Sequence, residues 1–116
     1  MAASDATGNP FFTRIVGGTV HVLDPAALFA GGVNRRVVMV EVKMPNIGLP
    51  DPASRAAFIS AATDVVDALT VANHDRGDTW VNILNAPDGV GGVGGVAYTG
   101  EALIAAAERS VRLADA

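Results

Sequence analysis

From Arg35 to Met44 the chain alternates between two faces. Val38, Val40, Val42 and Met44 fall on one side, and Val37, Met39, Glu41 and Lys43 on the other, which is the period-two pattern of a strand. Past the loop Pro45 to Pro50 the period lengthens. Phe58, Ala62, Val65, Val66 and Leu69 recur at helical spacing, and Asp51-Pro52 supplies an N-cap with proline at the first helical position. A helix is therefore predicted over Pro52–Leu69. Asn73 to Gly77 is a polar loop, and Thr79 to Leu84 returns to strand. Asn85-Ala-Pro-Asp-Gly89 then turns the chain into a glycine-dense run, so Gly89 to Thr99 reads as a hairpin. Thr99-Gly100-Glu101 opens a last helix to about Leu113, with Leu103, Ile104, Ala107 and Val111 as its apolar stripe. The central strand-helix-strand stretch is long enough for a right-handed crossover between parallel strands.

The amino-terminal third is less regular. Residues 1–10 read as a polar arm. Phe11 to Leu23 alternates loosely around Gly17-Gly18, as one bulged strand or a hairpin. Asp24-Pro25 caps a short helical turn, Ala26 to Ala30, which Gly31-Gly32 stops. The expected class is α+β in a single domain over residues 1–116. It comprises an extension with an extra strand segment over 1–35, a β-α-β-hairpin core over 36–96, and a helix over 99–114.

Composition narrows the function classes. Half of the 116 residues are hydrophobic and 17% are charged, which is too apolar for disorder and high for a small domain. Self-association that buries apolar faces between subunits is expected. A net charge of -4 with Lys43 as the single lysine argues against nucleic acid or an anionic membrane surface as partner. The absence of cysteine removes disulfides and thiol chemistry and makes a cytoplasmic location the default. The first nine residues lack the features of a signal peptide, and no apolar run approaches the roughly 18 residues that span a bilayer.

The segment from Asp78 to Gly95 carries the most information. A strand followed by glycines suggests a phosphate loop, yet no Lys-Ser/Thr follows them and no helix opens on them. Taken with Leu49-Pro50-Asp51 before the helix, Thr63-Asp64 within it, Thr79-Trp80-Val81-Asn82-Ile83 in the second strand and Gly92-Val93-Gly94-Gly95, the order of elements resembles the tautomerase superfamily typified by 4-oxalocrotonate tautomerase. The resemblance covers residues 36–96. It implies a β-α-β fold with parallel central strands, assembly into a homotrimer or homohexamer, and no cofactor. It also implies proton transfer on a small carboxylated enol or keto acid, with arginines binding the carboxylates. In that family the base is an amino-terminal proline at the start of the first strand. Here the corresponding position falls among Val37 to Val40, inside the chain, where a peptide nitrogen is not a base. Trp80 stands where a substrate-binding arginine is expected, and Gly91 where an aromatic wall is expected. The reading is a tautomerase-like protein of divergent or lost activity, or else a non-catalytic structural or small-ligand-binding subunit with the family fold.

The remaining candidates follow from residue type. His21, between Val20 and Val22, is the candidate general base, against a partly exposed strand histidine. Arg35 and Arg36 precede the first core strand and would bind a carboxylate, or serve as a charged pair that guards a strand edge. Trp80, with Tyr98, walls a small pocket or anchors an interface. Asn82, polar between Val81 and Ile83, offers its amide to a ligand or to a neighbouring strand across an interface. His74 and Arg76 read as solvated loop residues, Arg76 in a surface ion pair. Neither histidine has a second ligand at metal spacing on its own element, so no metal is expected.

Overall fold

The computed structural model describes residues 8–71 and 73–114. They form a small α+β fold of three helices and short strands. The chain divides into two compact units: residues 8–19, 44–50 and 85–114 in the first, and 20–43, 51–71 and 73–84 in the second.

The second unit holds the helix of the crossover and most of its two strands, residues 38–43 and 79–84. Strand β3, Val38–Pro45, alternates half-buried and exposed positions, and helix α2, Pro52–Leu69, follows the loop after it. Asp51 caps that helix by accepting from the Ser54 N–H at 2.8 Å, while Ser54 Oγ faces the Asp51 N–H at 3.4 Å, a reciprocal capping box. The helix stops at Thr70, whose backbone is extended. Strand β4, Thr79–Ala86, pairs with β3. The Asn46 N–H donates to the Ala86 carbonyl at 3.1 Å, so the outgoing ends of both strands meet and the pair is parallel.

Ahead of β3 the same unit carries a hairpin of β1, Phe29–Ala30, and β2, Val33–Asn34. Gly31 and Gly32 form its two-residue turn with φ of 60° and 76°, the left-handed pair that a type I′ turn requires. The helical turn expected over Ala26 to Ala30 is thus shortened to a 3₁₀ turn, Pro25–Ala27, capped by Asp24. Gly-Gly here is a hairpin turn and not a helix stop. Asn34 Nδ2 donates to the carbonyls of Leu28 at 2.7 Å and Pro25 at 2.8 Å, which holds the hairpin to that turn.

The first unit is built on helix α3, Gly100–Ala114, whose Leu103, Ala106 and Ala107 are buried. Helix α1, Pro10–Arg14, packs on it. This corrects the bulged strand or hairpin expected over Phe11 to Leu23. Asn9 caps α1 by accepting from the Phe11 and Phe12 N–H groups, and Pro10 at the first helical position favours helix over strand. Residues 16–24 form no regular element. Of the polar arm expected over 1–10, residues 1–7 lie outside the described residues, and Pro10 already belongs to α1. Strands β5, Gly92–Val93, and β6, Val96–Ala97, form the expected hairpin about a second type I′ turn at Gly94 and Gly95. Phe11 meets the Tyr98 ring edge-on, with centroids 6.2 Å apart.

Candidate functional site

Because β3 and β4 are parallel, their incoming ends lie together, and the residues just before each strand are brought to one edge of the sheet. Arg35 comes from the β3 side and residues 74–80 from the β4 side. The Arg35 guanidinium pairs with Asp78 at 3.0 Å, and the Asp78 side chain is 19% exposed. One residue on, the buried Thr79 hydroxyl lies 2.8 Å from His74 Nε2. Trp80 Nε1 donates to the Gly77 carbonyl at 3.0 Å, so the indole lies back over the turn before its strand. That turn is the 3₁₀ segment Arg76–Asp78, capped by Asp75. Arg76 fixes it to α2 by pairing with Asp64 at 2.9 Å and with Asp67. Hydrogen bonds donated to Asp67, and then to Asp64, hold the pKa of the exposed Arg76 guanidinium above its ordinary value.

Of the residues expected to act, Arg35 and Trp80 therefore meet at one edge. Arg36 is exposed beside Arg35, and Asn82 is exposed two residues along the Trp80 face of β4. His21 lies in the irregular segment before the Pro25 turn, exposed, on neither core strand. Arg76 is in a surface ion pair as expected, with Asp64 and Asp67 of α2 as its partners.

His74 is not the solvated loop residue that its polar neighbours suggest. It is half-buried against Thr79, and the only signal was a threonine at a strand start five residues later. A histidine nitrogen at 2.8 Å from a hydroxyl has the reach of a general base. Burial of Thr79 withholds that hydroxyl from solvent, so the bond's evident work is to tie loop to strand. Arg35 has its charge compensated by Asp78, which weakens it as a receptor for a free carboxylate. Val37 is buried, and its nitrogen, like those of the first residues of β3, belongs to a peptide bond and is not a base.

No group of three or more histidine, cysteine or acidic side chains able to hold a metal occurs among the described residues. None of their helices is long and apolar enough to cross a membrane. Comparison of the chain with family models, curated proteins and solved structures returns no match.

Proposed function

We propose that this protein is a self-associating subunit with a tautomerase-like β-α-β arrangement that has lost the proline-based proton transfer of that superfamily. The observation that carries self-association is the distribution of apolar side chains. No large side chain among the described residues is fully buried, while Met39, Val65, Leu69, Val71, Trp80 and Leu84 are all exposed. Burial in a second copy would remove such surface from water at roughly 25 cal/mol per Å². Loss of the chemistry is supported by amide nitrogens at Val37 and Val38 and by the Arg35–Asp78 pair. The test is twofold. Sedimentation velocity at micromolar concentration should give a homotrimer or homohexamer, and a phenylenolpyruvate ketonisation assay should stay at the uncatalysed rate. A monomer would overturn the first half, and robust turnover the second.

The position of the half-buried His74, just ahead of the sheet edge that also carries Arg35, favours a second reading, in which a small carboxylated enol is still handled beside Arg35 and Arg36 by a histidine base. In that case turnover should fall about 100- to 10,000-fold on losing the base, His21 or His74. It should also fall on losing both arginines. Turnover that survives all of these changes would exclude this reading.

A further inference from the structure

The outward face of the β3–β4 pair is the least expected surface of the second unit. Parallel strands are ordinarily covered on both sides. Here Val38, Val40 and Val42 of β3 and Thr79, Val81 and Ile83 of β4 are half-buried or buried, while Met39, Glu41, Lys43, Trp80, Asn82 and Leu84 are all exposed. The 3.1 Å bond from Asn46 to Ala86 sets the register. Carried back along two strands of eight residues each, it lays Met39 beside Trp80, Glu41 beside Asn82 and Lys43 beside Leu84. Two apolar corners, Met39 with Trp80 and Leu84, therefore flank one carboxylate and one ammonium.

Those two charges identify what fits the face. Glu41 and Lys43 are two residues apart on one strand, about 7 Å along it. Among the described residues neither has an ion-pair partner. We propose that this face packs on the same face of a second copy of the chain, about a two-fold axis crossing β3 between Glu41 and Lys43. The rotation reverses the strand direction and keeps β3 over β3. Each copy's Glu41 then meets the other's Lys43, forming two ion pairs for every contact, as an isologous interface requires. Packed sheets lie about 10 Å apart, a gap that glutamate and lysine side chains reach across together. Met39, Trp80 and Leu84 leave water in the same step. A partner of any other sequence would have to reproduce this charge order in reverse, whereas a second copy does so by symmetry. The proposal rests on the self-association reading in its homohexameric form, since a two-fold contact does not occur within a closed trimer, and names its surface.

Charge exchange tests it on the full chain. In E41K alone two lysines face two lysines, and in K43E alone two glutamates face two glutamates. Each should associate about tenfold or more weaker than the unaltered chain by sedimentation. The double variant E41K/K43E should associate as the unaltered chain does, and so should an equimolar mixture of the two single variants. That last result cannot come from a folding defect. In addition Trp80, the only tryptophan, should shift its emission to the blue as concentration rises. If the chain associates but the single variants match it and Trp80 does not shift, this face is overturned and self-association stands. If the unaltered chain stays monomeric, both fall.

Discussion

Replacing Asn9 by alanine removes the joint between helices α1 and α3 at one point. The Asn9 side chain is 6% exposed. Its Oδ1 accepts from the Phe11 N–H at 3.0 Å and the Phe12 N–H at 3.3 Å, and the Ser110 hydroxyl oxygen lies 3.3 Å away. Its Nδ2 donates to the Ala107 carbonyl at 3.1 Å. Losing the cap costs about 1 kcal/mol. Losing the buried amide bond costs about 1 kcal/mol more, and the Ala107 carbonyl keeps the Ser110 hydroxyl at 2.7 Å, which limits the penalty for an orphaned acceptor. The sum is about 2 kcal/mol, which should lower the urea midpoint by roughly 1–2 M at an unchanged slope. N9D separates the two terms, because it keeps the acceptor for α1 and loses the donor to Ala107. Deleting residues 1–12 should cost at least as much as N9A, since Phe11 and its contact with Tyr98 go as well. If N9A has the midpoint of the unaltered chain, α1 is not held by Asn9 and the account of this helix is wrong.

Three further outcomes are expected. A Cβ at Gly100 would lie 2.6 Å from Ile47 Cγ2, so G100A should destabilise by about 1–3 kcal/mol, measured by the same denaturation; an unchanged midpoint would mean the loop at Ile47 yields freely. T79V keeps the shape of the side chain and removes the hydroxyl bonded to His74 Nε2, for about 1 kcal/mol, and the His74 ring resonances should move in the NMR spectrum; unmoved resonances would refute the pair. Arg76 is raised above its ordinary value, so its contribution is complete at every pH below that value and fades only in strong base. R76Q should accordingly differ from the unaltered chain by the same small amount across the neutral range, and salt at about 1 M should erase the difference.

Where local chemistry and tertiary context agree, the elements could be read from the residues. Asp51-Pro52 and the apolar spacing mark helix α2 over Pro52–Leu69, because cap, proline and stripe all act within one turn of each other. The alternation through Val38 to Met44 marks β3 for the same reason. Structure and expectation part where one signal has two meanings. Gly31-Gly32 and Gly94-Gly95 are the same dipeptide in the same type I′ turn, yet only the second is flanked by residues that read as strand. Phe11 and Phe12 favour strand by propensity, and Asn9-Pro10 overrode them by starting a helix that α3 then holds.

The site was less legible, because its contacts cross between elements. Arg35 and Asp78 are 43 residues apart, and only the parallel pairing of β3 with β4 makes them neighbours. His74 and Thr79 are close in sequence, but whether the histidine is solvated depends on a 3₁₀ turn that Arg76 pins to α2 from a distance. The outward sheet face shows the opposite case. Its anomaly was already present in the alternation, since Met39 shares a face with Glu41 and Lys43 where a solvated strand would carry a third polar residue. Trp80, Asn82 and Leu84 repeat that mixture on β4. A face that is apolar at its corners and charged at its centre is poorly suited both to solvent and to a closed core. Such a face suits a partner whose charges arrive in reverse order, and a two-fold copy of the chain supplies that order without any second sequence having to evolve with it.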